Sequence, residues 1–152
     1  MAAQQNVALA RSLLDLYNNR QSDPAWLDKS GAAFAEDSEY IDVPSGATLQ
    51  GPDGYQRLVL FFARAFPESK TELTNAFATE DQVTLELTSR GTNDRQLHLP
   101  TGDLPAKRHS LGMRVCEVIQ IRNGKIVSFH TYYDMMTMLE QLGLNSTKLE
   151  TT

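Results

Sequence analysis

Three titratable side chains lie on what the sequence predicts to be an apolar strand face near the end of the chain. Residues Met113–Asp134 read MRVCEVIQIRNGKIVSFHTYYD, with two runs of alternating character on either side of Asn123-Gly124. Both residues of this dipeptide tolerate positive φ, so it favours a two-residue β-hairpin turn. We therefore expect a hairpin whose paired residues can be counted outward from the turn.

Counting outward places Glu117 opposite His130 and Met113 opposite Asp134 on one face of the hairpin. A carboxylate on such a face costs free energy unless it is paired or protonated. The pattern indicates either a pocket that holds titratable groups or a structural Glu117–His130 ion pair covered by a loop. The apolar members of the face are Met113, Val115, Ile119, Ile121, Ile126 and Tyr132.

Three predicted helices come before most of the strands. Asn6–Asn19 has apolar residues at three- and four-residue spacing. Ser22-Asp23-Pro24 predicts the start of a short second helix, and Gly51-Pro52-Asp53 opens a long apolar one. For the tryptophan of the second helix, a place in the core is the alternative to a ligand contact. The aromatic candidates for contact with a ligand on these helices are Tyr17, Trp26 and Phe62.

The predicted strands are Glu39–Val43, Lys70–Thr79, Gln82–Arg90 and the two strands of the hairpin. Alternation alone points Asp42 outward, but an edge strand near a pocket can turn its polar face inward, and both readings stay open. Asn75 falls on the inward face of its strand. It could bind a ligand or satisfy a buried backbone group.

The order of elements, with helices first and strands later, is typical of an α+β fold that has helices on one face of an antiparallel sheet. A curved sheet wrapped around the N-terminal helices would enclose a cone-shaped pocket lined by the final hairpin. The apolar residues of the Lys70–Thr79 and Gln82–Arg90 strands require an odd-length turn around Glu80. The polar connection 91–110 is long enough to be a lid or a binding loop.

Length and composition predict one domain over residues 1–152, with a core at about 6–143 and a flexible tail at 144–152. The net charge of −5 argues against a nucleic-acid or acidic-membrane partner. A single cysteine excludes an internal disulfide. Neither a signal-peptide pattern nor an apolar run of about 20 residues is present, so we expect a cytoplasmic protein without a membrane partner.

Three segments resemble the SnoaL-like polyketide cyclases, also called predicted ester cyclases, of the nuclear transport factor 2-like superfamily. They are GPDGYQRLVLFFARAFPE at Gly51–Glu68, RNGKIVSFHTYYD at Arg122–Asp134 and LEQLG at Leu139–Gly143. The resemblance extends over about residues 8–143. It implies an α+β cone with a deep apolar pocket and a homodimer formed through the outer face of the sheet. The hairpin's other face, with Val118 expected opposite Phe129, would supply apolar contacts for that dimer.

The resemblance also implies roles for single residues. In cyclases of the family an aspartate at the end of the last strand is the general acid/base, and Asp134 matches its position. The segment FAEDSEYIDVP is similar to the part of ketosteroid isomerases that carries their proton-transfer aspartate, which falls on Asp42. Their protonated oxyanion-hole acid aligns with Glu117. Their oxyanion tyrosine falls near Leu13, which leaves Tyr17, one turn further on, as a possible substitute.

The implied reaction is proton transfer beside a carbonyl group of a small apolar compound, followed by cyclisation, aldol closure or isomerisation. Asp134 would be the base, with His130 and Glu117 as donor or relay and Asp42 as the alternative base. No P-loop, dinucleotide fingerprint or zinc motif is present, so no cofactor and no metal site is expected. The candidate ligand contacts are Tyr132, Asn75, Tyr17, Trp26, Phe62 and Met113.

Two other classes of function stay open, because a fold does not decide a function. One is a non-catalytic module of the same fold that binds a small ligand or forms a dimeric interaction surface. The other is a dehydratase- or hydrolase-type member of the superfamily, and His130 with Tyr132 would suit a dehydratase.

Overall fold

The computed structural model describes residues 2–93, 97–99, 102–104 and 109–143. The predicted flexible tail, 144–152, lies outside the described residues. The helices are α1 (Ala2–Asn18), α2 (Trp26–Gly31), α3 (Gly51–Ala65) and α4 (Met135–Gln141). The strands are β1 (Phe34–Asp42), β2 (Ala47–Gln50), β3 (Lys70–Ala78), β4 (Gln82–Thr92), β5 (Leu97–Leu99), β6 (Gly102–Leu104), β7 (Ser110–Arg122) and β8 (Lys125–Tyr133).

Six of the strands form one curved sheet in the order β2-β1-β8-β7-β4-β3. The N-terminal helices pack on one face of it, which confirms the predicted α+β architecture. The sheet is not wholly antiparallel as predicted, because β1 runs parallel to β8 while the other neighbours are antiparallel. Helix α3 connects β2 to β3, the two edge strands of the sheet. None of the described helices is both long and apolar enough to cross a membrane.

The core lies between the helices and the concave face of the sheet. Phe34 of β1 stacks on Tyr55 of α3 with ring centroids 4.3 Å apart, and Tyr40 stacks on Phe129 of β8 at 5.0 Å. Full burial of one such aromatic side chain contributes on the order of 1.5–3 kcal/mol. This cluster therefore fixes α3 against β1 and β8. The aliphatic part of the core consists of Ala10, Leu13, Val83, Leu85, Leu87, Ile119, Ile121 and Ile126.

The connection between α3 and β3 is held by a buried arginine. The Arg20 guanidinium donates to the carbonyl oxygens of Phe66 at 3.2 Å, Pro67 at 2.7 Å and Ser69 at 3.0 Å. A cation is favourable there because free carbonyl groups point out of a helix C-terminus. The end of α3 is thereby tied to the residues that follow α1.

The final hairpin has the predicted turn but a different register. Asn123 and Gly124 have φ of 54° and 73°, and Ile121 pairs with Ile126 as expected. The next pair is then Gln120 with Ser128, so one extra residue of β8, at Val127, forms a β-bulge. Every residue of β8 beyond the bulge is displaced by one position.

A displacement by one residue exchanges the two faces of a strand. Glu117 consequently faces Thr131, and the predicted pairing of Glu117 with His130 is wrong. Val118 faces His130, so Phe129, expected on the outer face, points into the core and is 2% exposed. The bulge therefore decides which side chains of the last strand can reach the interior.

A second register shift lies in β3. Leu73 pairs with Leu87 but Asn75 pairs with Glu86, so the extra residue is Thr74. The shift lets Leu73 and Ala76 both pack against the core, and the predicted odd-length turn is not needed. Asn75 is exposed and donates to the Glu86 carboxylate at 3.0 Å, so its predicted inward placement is wrong.

The expected long connection at 91–110 is partly regular structure. Strand β4 extends to Thr92 and β7 begins at Ser110, while β5 and β6 pair as a short antiparallel ladder between them. The remaining residues of the predicted lid, 94–96, 100–101 and 105–108, lie outside the described residues.

The register of β8 predicts a large difference between two aromatic substitutions. We expect Phe129→Ala to lower the free energy of unfolding by about 3–5 kcal/mol, because it removes a buried ring and leaves a cavity. Tyr132→Ala should cost less than about 1 kcal/mol, because its side chain is on the outer face. Urea unfolding of both variants in dilute solution measures the difference. A larger loss for Tyr132→Ala would contradict the bulge.

Candidate functional site

A cavity of about 170 Å³ lies between the helices and the concave face of the sheet. One water molecule needs only about 10–15 Å³ on this measure, so the cavity can hold a small organic ligand. Most of the wall is apolar, and the polar groups lie at two places along it. One group, which we call the carboxyl end, consists of Tyr40, Asp42, Tyr55, Glu117, Thr131 and Tyr133.

The strand register brings the carboxyl end together. Asp42 of β1 is opposite Thr131 of β8, and Thr131 is opposite Glu117 of β7. The three residues form one row across neighbouring strands, with side chains on the same face. Two strand spacings separate Asp42 from Glu117, which corresponds to roughly 10 Å between their Cα atoms. Both carboxyl groups therefore belong to the same part of the cavity wall, with Thr131 between them.

Glu117 is the most perturbed carboxyl group in the cavity. Burial in this largely apolar wall raises its pKa to about 8, because the charged form loses hydration. The residue is only partly buried by accessible area, since its side chain faces the cavity. Most Glu117 side chains are therefore protonated at neutral pH, and a neutral carboxyl group can donate a hydrogen bond to a ligand.

Two tyrosines stand beside Glu117. Burial raises the pKa of Tyr40 well above its usual value, and the nearby charges of Glu117, Tyr55 and Asp42 act in the same direction. Burial also raises the pKa of Tyr55, with further contributions from Glu117 and Tyr17. Both phenols stay protonated at neutral pH. The carboxyl end thus holds several neutral O–H groups close to one another.

Asp42 provides the opposite chemistry. Its side chain is buried, and its Oδ2 accepts a hydrogen bond of 2.9 Å from the Tyr133 hydroxyl. The other oxygen, Oδ1, is buried and has no hydrogen-bond donor among the described residues. Burial and the Asp42 carboxylate raise the pKa of Tyr133, so this phenol remains a donor. Asp42 is therefore held by one oxygen and has unused proton-accepting capacity at the other.

Asp134, the residue at the position of the family's general acid/base, does not line the cavity. It is the exposed N-cap of α4, where its side chain accepts from the backbone N–H groups of Met136 and Thr137 and from the Thr137 hydroxyl at 2.8 Å. These bonds lower the pKa of Asp134, and the bond from the Thr137 hydroxyl has the largest effect. Its expected inward placement is wrong, because the bulge in β8 reverses the face on which the strand ends.

His130 and Tyr132 also lie outside the cavity. His130 Nε2 is 3.2 Å from the Ser128 hydroxyl oxygen on the outer face of the sheet. Tyr132 is 42% exposed. The predicted meeting of Glu117, His130 and Asp134 in one pocket is therefore wrong, and the dehydratase alternative loses the pair of residues on which it rested.

The helices contribute some of the expected ligand contacts. Tyr17 and Phe62 line the cavity, and so does Met113 of β7. Trp26 instead packs edge-to-face against Tyr17, with ring centroids 6.0 Å apart. Asn75 is on the exposed side of β3.

Four residues of the carboxyl end were not among the predicted site residues: Tyr40, Tyr55, Thr131 and Tyr133. Tyr55 precedes Leu58, Val59 and Phe62 at helical three- and four-residue spacing, so its inward direction could have been read from the pattern. Tyr133 faces inward only because of the bulge. No three His, Cys, Asp or Glu side chains within the described part of the chain are grouped so that they could hold a metal ion.

A family model described as SnoaL-like polyketide cyclase matches residues 8–142. No protein with a curated description matches the chain.

Several solved structures share the fold at low sequence identity. A protein from Jannaschia sp. CCS1 described as a SnoaL-like polyketide cyclase is 15% identical, with 92% of each chain covered and a TM-score of 0.80. A Catenulispora acidiphila protein with a ketosteroid isomerase-like fold, solved with trimethylamine, is 22% identical over 91% of this chain and 95% of its own, with a TM-score of 0.70. An M. tuberculosis protein described as an epoxide hydrolase is 16% identical over 99% of this chain and 98% of its own, with a TM-score of 0.69.

The raised pKa of Glu117 predicts a pH dependence of stability. Between about pH 4.5, the ordinary value, and about pH 8, the folded protein binds a proton that the unfolded chain has released. Stability should therefore fall as pH rises through this range, by at most about 1.4 kcal/mol per pH unit from this group. We expect Glu117→Gln, which cannot ionise, to lose this slope. Urea unfolding of both proteins from pH 5 to 8.5 measures it, and parallel slopes would contradict a buried neutral Glu117.

Proposed function

Because the chain belongs to the SnoaL-like polyketide cyclase family, we propose that it is a cofactor-independent acid/base enzyme that acts on a small apolar carbonyl compound. The proposal rests chiefly on one observation. Two carboxyl groups of opposite character, Asp42 with an undonated buried oxygen and Glu117 with a pKa raised to about 8, line the same cavity. One is suited to accept a proton and the other to donate a hydrogen bond.

The first step is removal of an α-proton by Asp42. The C–H bond breaks, its proton moves to the Asp42 carboxylate, and its electron pair enters the carbonyl group to form an enolate. The Tyr133 hydroxyl keeps the carboxylate in place by holding Oδ2. Because its hydroxyl proton is donated to Oδ2, Tyr133 acts as a positioning residue rather than as the base.

The enolate oxygen is stabilised by the neutral donors on the other side of the carboxyl end. The protonated Glu117 carboxyl group donates to the oxygen that gains negative charge, and the Tyr40 and Tyr55 phenols lie beside it. Donors fixed before the reaction in a poorly hydrated cavity are effective, because no reorganisation is needed as charge develops.

The enolate can then react in two ways that balance without a further reagent. In an isomerisation, the proton on Asp42 returns to another carbon of the conjugated system. In an aldol closure, the enolate carbon attacks a second carbonyl group of the same molecule, and the alkoxide formed takes up the proton. Both outcomes suit the largely apolar wall formed by α1, α3 and the sheet.

Asp42→Asn tests the assignment of the base. Small cyclic ketones in D₂O exchange their α-protons, and proton NMR follows the loss of signal with time. We expect the wild-type protein to accelerate this exchange and Asp42→Asn to reduce the acceleration by about 10²–10⁴-fold, the usual contribution of a general base. Glu117→Gln should reduce it less, because an amide still donates a hydrogen bond.

Asp134→Asn is the matched control, because asparagine also caps a helix. It should leave the exchange unchanged. Loss of exchange in Asp134→Asn with retention in Asp42→Asn would overturn the choice of base. Ketone binding without any exchange in the wild-type protein would favour the non-catalytic binding module instead.

We also propose that two copies of the chain pair through the outer face of the sheet, as the family resemblance implies. Phe77, Thr84, Val118 and His130 form one row across β3, β4, β7 and β8 on that face. Phe77 is 58% exposed, and the next row ends at the exposed Tyr132. The two exposed aromatic side chains and Val118 would supply apolar contact area for such a pairing.

A charge in the middle of that face should weaken the pairing. We expect Val118→Arg to raise the dimer dissociation constant more than tenfold, because two like charges would be brought together and desolvated. Sedimentation velocity over a range of concentrations measures it. Ala8→Arg, at an exposed position of α1, is the control and should have no effect. A wild-type protein that stays monomeric at high concentration would contradict the proposal.

A further inference from the structure

A second polar group lies on the cavity wall away from the carboxyl end. The Tyr17 hydroxyl is 2.6 Å from Ser69 Oγ, and Thr71 Oγ1 is 3.1 Å from Ser89 Oγ. All four residues line the cavity, and we call them the hydroxyl cluster. The proposed acid/base reaction uses none of them. A polar group on an apolar wall costs free energy unless it is hydrogen-bonded.

Thr71 and Ser89 are directly opposite each other on β3 and β4, and Ser89 is opposite Met113 of β7. Met113 lies four residues before Glu117 on the same strand. The strand rise and the strand spacing then put the Cα atoms of Ser89 and Glu117 roughly 14 Å apart. The two polar groups are therefore separated along the sheet, and Leu87 and Val115, which also line the cavity, lie between them.

Arg20 contacts two members of the hydroxyl cluster, Tyr17 and Ser69. Its buried guanidinium lies 4.2 Å from the centre of the Tyr17 ring, and its Nη2 is 3.4 Å from Ser69 Oγ. No carboxylate contacts it among the described residues, and its other hydrogen bonds go to backbone carbonyl groups. The guanidinium group thus occupies one acceptor position of Ser69 Oγ, which leaves fewer lone pairs in the Tyr17–Ser69 pair to accept a hydrogen bond from a ligand.

The hydrogen bonds within the two pairs do not use all of the hydroxyl protons of the cluster. Each hydroxyl group has one proton to donate, and each of the two pairs uses one of its two protons in the bond between its members. The described contacts leave one donor in each pair. A ligand oxygen with free lone pairs is the chemical group that such donors would bind.

We propose that the hydroxyl cluster is a second binding subsite, which takes an oxygen acceptor of the ligand remote from its reacting carbonyl group. The inference rests on the proposed function for the identity of the reacting end. It narrows the substrate class to a two-ended molecule that has an apolar middle, a carbonyl group at one end and a hydroxyl or second carbonyl oxygen at the other. Tyr17 and Ser69 are the specificity-determining residues for that second oxygen.

Three naphthols test the subsite. 2-Naphthol is a flat apolar molecule whose single oxygen resembles an enolate oxygen, so it should bind at the carboxyl end. 6-(Hydroxymethyl)-2-naphthol adds an oxygen at the far end, and 6-ethyl-2-naphthol has nearly the same shape without it. Titration calorimetry gives the ratio of the two substituted naphthols' dissociation constants, which isolates the effect of the second oxygen.

We expect Tyr17→Phe to reduce the preference for the hydroxymethyl compound about fivefold, the typical effect of losing one hydrogen bond. Ser69→Ala should act in the same direction, and the affinity of each variant for 2-naphthol measures any change in the rest of the cavity. Tyr17→Phe keeps the ring that contacts Arg20 and Trp26, so its folding should be unaffected. Tyr132→Phe, which removes an exposed hydroxyl group, is the matched control.

An unchanged ratio in both cavity variants would overturn the subsite, whatever the outcome of the exchange experiment. Failure of 2-naphthol to bind to the wild-type protein would overturn both the subsite and the carboxyl end. A ratio that falls in Tyr17→Phe and Ser69→Ala, in a protein that does not exchange ketone α-protons, would support the subsite and reject the proposed reaction.

Discussion

One extra residue in the last strand determines what the cavity contains. The bulge at Val127 turns Phe129, Thr131 and Tyr133 inward and sends His130 and Tyr132 to the outer face. Phe129 then completes the aromatic cluster with Phe34 and Tyr40, so the same register that builds the core also delivers Tyr133 to Asp42. Packing of a large buried ring strongly favours this register, and the polar site is specified along with it.

Glu117 is a polar residue of the site at a buried position of the sheet, where its charged form is unfavourable. It lies between Leu85 and Thr131 in the middle of the sheet. Burial therefore raises its pKa, and the side chain is mostly protonated at neutral pH. The neighbouring Tyr40 and Tyr55 add O–H groups but no positive charge. Glu117, Tyr40 and Tyr55 can therefore donate hydrogen bonds to an oxygen atom in the cavity.

Much of the fold could be predicted from local signals. The dipeptide Asn123-Gly124 correctly predicts the hairpin turn, and Pro52 correctly predicts where α3 begins. The errors in the site came from two β-bulges. Their extra residues, Val127 and Thr74, are ordinary strand residues, so their types do not mark a bulge. A signal for the first bulge did exist, because Ile126 and Phe129 are both large and apolar but three residues apart. A regular strand cannot bury both on one face.

The position of Asp134 shows why counting outward from the turn gave the wrong geometry. The residue follows Tyr133 directly and caps α4 through the N–H groups of Met136 and Thr137. In that place its carboxylate fixes the point at which β8 stops and the helix begins, one residue after the phenol that holds Asp42. An acidic residue at the end of the last strand can therefore belong to the support of the cavity as well as to its chemistry. Which of the two it serves depends on the face that the preceding strand presents, and here the bulge sets that face.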